Sequence, residues 1–317
     1  MVKDNTYIEN RRRIYKAMDF VVKHLDQTLN LDRVAKASHL SPYHLHRLFH
    51  QVAGETLNGY VTRKKMEKAV ETLICQSDLT ITDVAEAGGF SSPANFSKAF
   101  KSYFDITPRE LRDPNTSRSE QRGRLYRQYG KAIDTNKFHT QAATDRMVFN
   151  PERLHDMLDR IVIADWDKRH IIYHSHFGGY DWGAIGSAWE RLLAWADGEG
   201  LDTGLPKQLS LFHDNPIVTP QSRCRYDAAL VVDATIDDLP FPYAQSVLDA
   251  GRYAAAPYEG PIDKMLDFFK EVNYVWLPKQ GLNSADGPLI TDYIDHSSDD
   301  DRVTMTLYFK LMPALAF

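Results

Sequence analysis

Residues 31–49 (LDRVAKASHLSPYHLHRLF) and residues 81–100 (ITDVAEAGGFSSPANFSKAF) decide the fold of the first part of the chain. Each stretch shows a short apolar helix pattern, a turn, and a second helix pattern that begins at a Ser-Pro pair. The pair at residues 41–42 recurs at residues 92–93. The two stretches therefore form a duplicated helix-turn-helix unit.

Each Ser-Pro pair predicts where a helix starts. A serine hydroxyl accepts hydrogen bonds from the free backbone amides at a helix start, and proline suits the first helical position because its missing N–H would be unpaired there. The second helices are thus expected to begin at Pro42 and Pro93. Gly88 and Gly89 supply the tight turn before the later of the two.

Two further helices are predicted around these units. Apolar residues recur at helical spacing over residues 14–25, which indicates a helix with one buried side. Residues 57–74 show the same spacing and predict a helix that connects the two units. One side of this connecting helix is basic and carries Arg63, Lys64, Lys65 and Lys68.

Two such units on one connection can place their recognition helices about 34 Å apart, in successive segments of one major groove. A single polypeptide then reads two half-sites, and dimerisation is not required. Residues 14–112 resemble the AraC/XylS DNA-binding domain, most closely in DVAEAGGFSSPANFSKAFKSYFDITPREL (residues 83–111). The resemblance implies an all-α double helix-turn-helix fold, double-stranded promoter DNA as partner, and regulation of transcription.

The resemblance also implies which side chains face the groove. They are Tyr43, His44, His46, Arg47, Ser91, Ser92, Ala94, Asn95 and Lys98. Arg47 and Asn95 are the residues predicted to contact bases. Lys98 stands where the family more often has arginine, and lysine cannot make the planar bidentate contact of a guanidinium. Asp105 stands where the family usually has glycine.

The N-terminal and C-terminal parts of the chain differ in net charge. Its 317 residues have a net charge of −5, but residues 1–112 hold 17 Lys and Arg against 13 Asp and Glu, whereas residues 161–317 hold 12 against 23. Phosphate attracts the first part and repels the second. The sequence shows no signal peptide or apolar span, and Cys75 and Cys224 form no paired motif. We expect a cytoplasmic protein with no membrane partner and no cofactor.

Residues 113–157 are predicted to be an exposed linker, because polar residues dominate and large apolar ones are few. A short helix is expected near residues 121–132. The linker arginines either touch DNA or are solvated; they are Arg118, Arg122, Arg124 and Arg127.

Residues 158–317 are predicted to form an α+β domain with a pseudo-two-fold repeat. Strand-like runs alternate with two helical stretches that contain tryptophan; the runs are residues 160–163, 171–175, 226–232, 252–257 and 303–310. One constant offset relates Trp195 to Trp276 and Gly200 to Gly281. Two such halves side by side leave a cleft along the axis between them.

This domain resembles the GyrI-like effector-binding domain of multidrug-sensing regulators. The resemblance rests on six stretches: FGGY (177–180), AWERLLAWADGEGL (188–201), HDNPIVTP (213–220), CRYDAALVV (224–232), AGRYAAAPYEGP (250–261) and WLPKQGL (276–282). It implies a small-molecule effector, lipophilic or cationic, that controls DNA binding or contact with RNA polymerase.

Family pockets are lined with aromatic side chains, and a carboxylate there attracts cations. The candidate ligand-binding residues are Tyr180, Trp182, Trp195, Tyr258, Glu259, Trp276, Asp292 and Tyr293. Each of the aromatic residues either lines a pocket or packs in the core. Thr291 stands where the family has a glutamate, two residues before the tyrosine, which leaves Asp292, Asp295 or Glu259 to supply the carboxylate.

Two other functions stay open at this point. A GyrI-like hydrolase would need the carboxylate that Thr291 replaces, and the sequence contains no other known catalytic motif, so no catalytic residue is assigned. Alternatively, the second domain binds a protein partner, because an aromatic-rich cleft also suits a peptide. No metal site is expected, since the pairs His46/His50 and His174/His176 each lack a third ligand nearby.

Overall fold

The computed structural model describes residues 2–76, 78–120, 122, 125, 151–204, 207–215, 219–261, 264–292, 295–297 and 302–313. These residues divide into two units. The first unit consists of the described residues of Met1–Thr135 and Ile217–Thr219. The second consists of those of Asn136–Pro216 and Pro220–Phe317. In the described residues the first unit is all α and the second is α+β, as the sequence predicts.

Seven helices lie within residues 2–112 of the first unit. They are α1 (Val2–Lys23), α2 (Leu31–Ala37), α3 (Pro42–Ala53), α4 (Leu57–Cys75), α5 (Ile81–Ala87), α6 (Pro93–Phe104) and α7 (Pro108–Arg112). Helices α2 and α3 form one helix-turn-helix unit, α5 and α6 form the other, and α4 connects them. The predicted helix near residues 121–132 lies almost wholly outside the described residues.

The two helix-turn-helix units bury equivalent side chains. Val-Ala pairs at residues 34–35 of α2 and 84–85 of α5 are almost fully buried, as are Phe49 of α3 and Phe100 of α6. The turn of the second unit is longer by a single residue, so the spacing between equivalent positions increases there. Each pair of helices therefore packs through the same small and large residues, which confirms the duplication.

The two units also share backbone conformations that favour glycine. Gly89 has φ 62°, and the equivalent residue of the first unit, His39, has φ 54°. Gly54 ends α3 with φ 69°, and Asp105 ends α6 with φ 56°. Asp105 thus keeps the left-handed conformation of the glycine that it replaces in the family pattern.

The second unit contains helices α8 (Pro151–Asp159), α9 (Trp182–Gly198), α10 (Met265–Lys270) and α11 (Leu277–Lys279), with a π-helical turn (Glu271–Trp276) between the last two. Its strands are β1 (Val162–Trp166), β2 (Arg169–Phe177), β3 (Gln208–Phe212), β4 (Arg225–Val232), β5 (Tyr243–Leu248), β6 (Gly251–Pro261), β7 (Leu289–Asp292), β8 (Asp295–Ser297) and β9 (Arg302–Lys310). The five predicted strands correspond to β1, β2, β4, β6 and β9.

The strands close on themselves. Their order in the described residues is β1-β6-β9-β7-β3-β4-β2-β5, with β8 added to β9. Two residues separate β1 from β2, and two separate β5 from β6. β1 pairs with β6 and β2 pairs with β5 in one continuous antiparallel register, from Val162 opposite Ala255 to His174 opposite Tyr243. β1–β2 and β5–β6 are therefore two long bent strands that join the ends of the order into a closed, barrel-like circuit.

The circuit has pseudo-two-fold symmetry. The sequence β2-β4-β3 in one half is repeated by β6-β9-β7 in the other. The halves meet where β3 pairs with β7, and Ser210 lies opposite Thr291, its equivalent in the repeat. Strands β3, β5, β7 and β8 are absent from the sequence prediction, but the predicted repeat is confirmed.

The π-helical turn explains the spacing of the two helices. The buried residues Ala188 and Leu192 of α9 correspond to Phe268 and Val272. The sequence separation within each of these pairs is one residue smaller than the separation between the two tryptophans that follow them, Trp195 and Trp276. The π turn thus absorbs one extra residue in the second half.

We expect Gly89→Ala to destabilise the first unit more than Gly54→Ala does. Both glycines have positive φ, which costs a residue with a Cβ about 1 kcal/mol. A Cβ at Gly89 would also lie 2.7 Å from the carbonyl oxygen of Leu25, whereas nothing lies within 4 Å of one at Gly54. We therefore expect a further loss of roughly 1–3 kcal/mol at Gly89 only.

Denaturant unfolding followed by far-UV circular dichroism measures this difference. Tryptophan fluorescence provides an internal control, because all five tryptophans lie between residues 166 and 276 and report on the second unit. Equal losses for the two variants would contradict the predicted close approach at Gly89.

Candidate functional site

The two recognition helices start where the sequence predicts. The Ser41 hydroxyl accepts a hydrogen bond from the backbone N–H of His44, and Pro42 is the first residue of α3. The Ser92 hydroxyl accepts one from the backbone N–H of Asn95 at the start of α6. Both helices therefore begin at a fixed residue, which sets the angular position of every later side chain.

Helix α3 has a core side and an exposed side. Leu45, Leu48 and Phe49 are buried. The four predicted DNA-facing residues of this helix are exposed, and Tyr43 has 74% of its surface accessible; they are Tyr43, His44, His46 and Arg47.

Helix α6 repeats this arrangement with different chemistry. Ser91, Ala94, Asn95 and Lys98 are exposed, and Ser92 is half-buried because its hydroxyl caps the helix. The side-chain amide of Asn95 donates a hydrogen bond to the Ser91 hydroxyl at 2.7 Å. This bond holds the amide in one orientation while its other polar atoms remain available. Which of these side chains touch DNA stays a prediction.

The basic side predicted for the connecting helix is wrong. Arg63, Lys64 and Lys65 of α4 are buried, with at most 9% of their surface exposed. Arg63 and Lys64 each form an ion pair with Glu67 at 2.7 Å. Lys65 donates a hydrogen bond to the carbonyl oxygen of Gly89, and burial lowers its pKa. These cations satisfy buried acceptors, which the helical spacing alone does not reveal.

The structure places the candidate aromatic residues of the second unit in two clusters. Tyr180 and Trp195 pack against the core beneath α9, in the first half. Tyr258 lies in the core beneath α10, and Trp276 packs against it, in the second half. The side chain of Trp182 and the whole of Tyr293 lie outside the described residues.

The contacts of these aromatic residues are largely structural. The indole of Trp195 stacks on Tyr243, with ring centroids 4.4 Å apart. The Tyr180 hydroxyl accepts a hydrogen bond from the backbone N–H of Asp214, and the Tyr258 hydroxyl donates one to the carbonyl oxygen of Pro261. The buried Nε1–H of Trp195, by contrast, has no hydrogen-bond partner among the described residues.

The candidate carboxylates do not share a side with Thr291. Successive side chains of a strand point to opposite sides, so Asp292 points away from the side of Thr291. Asp292 is 5% exposed and accepts hydrogen bonds from the Tyr308 hydroxyl and the Thr306 amide. Burial and this carboxylate raise the pKa of Tyr308. Glu259 is largely exposed and faces Arg302 at 3.6 Å.

A buried charge network, which sequence reasoning missed, lies on β4. Asp227 pairs with the Arg225 guanidinium at 2.7 Å and accepts hydrogen bonds from His213 and Ser175. Burial would raise the pKa of Asp227, but the charge of Arg225 and the contact with His213 outweigh it and lower the pKa far below its ordinary value. An alternating strand pattern hides such a network because its members come from several different elements.

A helix-covered polar chain lies at the pseudo-two-fold axis. The indole N–H of Trp189 on α9 donates to the Tyr226 hydroxyl at 2.7 Å, and that hydroxyl bonds to Ser210 at 2.7 Å. Ser210 is the residue opposite Thr291. Two central strands and one helix thus bring three polar groups to the junction of the halves.

The described residues contain neither a candidate metal-binding cluster nor a helix that could span a membrane. No group of three His, Cys, Asp or Glu among them is placed to hold a metal ion. None of the helices in the described part of the chain is long and apolar enough to cross a bilayer.

Comparison with known proteins matches both units to families. Residues 34–113 match the family described as a helix-turn-helix domain, and residues 160–312 match the GyrI-like small molecule binding domain. The first unit is similar to the regulatory protein PocR of Salmonella typhimurium, with 36% identity over 100 residues, which cover 32% of this chain and 33% of PocR. The chain thus spans only a third of that relative.

Two further comparisons cover most of the other protein. The multiple antibiotic resistance protein MarA of Escherichia coli is 32% identical over 102 residues, which cover 32% of this chain and 80% of MarA. A crystal structure of a transcriptional regulator with an AraC-type DNA-binding domain from Chromobacterium violaceum is 28% identical, with a TM-score of 0.30, covering 33% of this chain and 93% of that one.

We expect Asp227→Asn to lower the free energy of unfolding of the second unit by about 3–5 kcal/mol, because it leaves Arg225 buried without its counter-charge. The stabilisation that comes from the lowered pKa is complete above the ordinary carboxyl pKa of about 4 and is lost as the pH falls toward the lowered value. The difference between the variant and the natural protein should therefore shrink in strong acid.

Tryptophan fluorescence during urea unfolding measures this effect. Asp233→Asn is the matched control, since Asp233 is exposed at the end of the same strand region and its loss should change stability by less than about 0.5 kcal/mol. Similar losses for the two variants at neutral pH would show that the Asp227 network contributes little.

Proposed function

This chain belongs to the AraC family of DNA-binding regulators and carries a GyrI-like small-molecule-binding domain, and we propose that it controls transcription in response to a small molecule. The observation that carries the proposal is the repeated geometry of α3 and α6. Each helix starts at a Ser-Pro cap, buries one side, and exposes the residues that the sequence assigns to DNA.

We infer a division of labour along the chain. Residues 1–112 bind promoter DNA, residues 113–157 link the domains, and residues 158–317 bind the effector. The acidic charge of the last segment supports this division, because it disfavours contact with phosphate. The site of action in this proposal is the cytoplasm, where promoter DNA and RNA polymerase are available.

Arg47 and Lys98 are expected to have different roles at the DNA. The exposed guanidinium of Arg47 can form two parallel hydrogen bonds to one base, whereas the Lys98 ammonium is a point charge suited to phosphate. Asn95, held by Ser91, presents an amide that can pair with a base edge. Sequence specificity would therefore come mainly from Arg47 and Asn95.

The test is fluorescence-anisotropy binding of the full chain to its own promoter fragment and to unrelated DNA. Arg47→Ala and Asn95→Ala should each weaken promoter binding by about 1–3 kcal/mol, and Lys98→Ala should weaken binding to both DNAs alike. Arg160→Ala is the control, because it removes the same charge from the exposed end of α8. Unchanged promoter binding by Arg47→Ala and Asn95→Ala would contradict the proposed interface.

Adding effector to the same assay tests the response. A compound that binds the second unit should change promoter affinity and be recovered unchanged. Chemical conversion of the compound would favour the hydrolase alternative. Binding without any change in promoter affinity or in transcription by RNA polymerase would overturn the proposed regulation.

A further inference from the structure

The connecting helix α4 holds the turn of the second helix-turn-helix unit through a buried lysine. The Lys65 ammonium donates a hydrogen bond to the carbonyl oxygen of Gly89 at 2.7 Å and lies 5.0 Å from the centroid of the Phe90 ring. Only 9% of Lys65 is exposed. A hydrogen bond from a cation is stronger than a neutral one, and the aromatic face adds to the attraction. One side chain of α4 thus holds two residues of this turn.

The same turn is held from another side by the chain that follows α1. Gly89 has φ 62°, and a Cβ there would lie 2.7 Å from the carbonyl oxygen of Leu25 and 2.7 Å from the carbonyl carbon of Asp26. Helix α1 packs against α2 and α3 of the first helix-turn-helix unit. Gly89 therefore lies where the support of the first helix-turn-helix unit meets the connecting helix.

The charge of Lys65 is unfavourable to bury unless the turn accepts its hydrogen bond. Burial lowers the pKa of Lys65, although the carboxylate of Asp26 opposes that shift. An apolar side chain of the same length would fill the space without this cost. A side chain this buried also has little surface left for contact with phosphate. The ammonium is therefore explained by the turn that it holds.

The turn held by Lys65 leads directly into the second recognition helix. Ser92, whose hydroxyl caps α6, follows Phe90 by two residues, and the Phe90 ring packs against Phe96 of α6 with centroids 5.1 Å apart. A shift of this turn relative to α4 would therefore move α6 relative to α3. One base pair corresponds to about 3.4 Å and about 35° along the duplex, so even a small shift changes which half-site spacing both helices can reach.

We propose that Lys65 is a positioning residue that sets the spacing of the two half-sites read by this chain. The inference rests on the proposed DNA-binding function and adds to it a residue that acts without touching DNA. The hydrogen bond from Lys65 to Gly89, together with the close approach of Gly89 to Leu25, holds α6 at one position relative to α3. Without that bond each helix still binds its half-site, but the two helices no longer require one separation.

Fluorescence-anisotropy binding of the full chain to two promoter fragments tests the inference. Footprinting first locates the two half-sites, and the second fragment carries two additional base pairs between them, which move one half-site by about 7 Å and rotate it by about 70°. The natural protein should bind the altered fragment about tenfold or more weakly than the natural fragment. Lys65→Met keeps the length of the side chain without its charge, and its affinities for the two fragments should differ by about threefold or less.

Lys16→Met is the matched control, because it removes the same charge from an exposed position on α1 of the same unit. Both variants lose attraction to phosphate and should bind the natural fragment more weakly. Lys16→Met should nevertheless keep the natural ratio of the two affinities. A merely destabilising effect of Lys65→Met would lower both affinities by the same factor and would leave their ratio unchanged.

The natural ratio in Lys65→Met, with the variant folded by far-UV circular dichroism, would overturn the inference. Lys65→Gln is a milder change, and its shorter, uncharged amide should reduce the ratio by about twofold or more. The natural ratio in that variant overturns the inference if Lys65→Met fails to fold. Equal binding of the two fragments by the natural protein also overturns it and leaves the proposed DNA-binding function standing. Only a natural protein that fails to bind its promoter contradicts that function.

Discussion

Closure of the sheet is the constraint on which the second unit depends. Once β1–β2 and β5–β6 pair in a single register, the barrel has an inside and an outside, and alternation along each strand assigns every side chain to one of them. The side on which the helices pack is apolar, and the charged residues of the central strands point to the other side. There they need internal partners, which is why Asp227 is surrounded by donors.

The N-terminal unit depends on a more local constraint, and the sequence predicted it more completely. A helix cap and a left-handed turn are both encoded within a few residues. The Ser-Pro pairs and Gly89 could therefore be interpreted without knowing the rest of the fold. His39 and Asp105 hold left-handed conformations without glycine although both residues are exposed, so the backbone of the adjoining helix ends fixes their conformation.

What the sequence could not predict depends on distant contacts. The constant offset between the two tryptophan-containing stretches identified the two halves. Strands β3 and β5, however, are only five and six residues long, so their pairing partners are needed to define them as strands. The burial of Arg63 and Lys64 depends on their ion pairs with Glu67, a residue that helical periodicity alone would place on the surface. The opposite orientations of Thr291 and Asp292 follow from strand alternation, but only after β7 has been recognised as a strand.

The closed circuit also bears on the origin of this fold. A polypeptide with only one repeat would contain one long bent strand and could close the barrel only by pairing with a second identical copy. The two sides of the axis in such a dimer would have to be identical. Joining both copies in one chain removes that requirement. Each side of the axis can then carry its own side chains, and Ser210 and Thr291, or Trp189 and Phe269, differ in this way. The junction of the halves thus offers different side chains on its two sides, which a symmetric dimer of one repeat could not do.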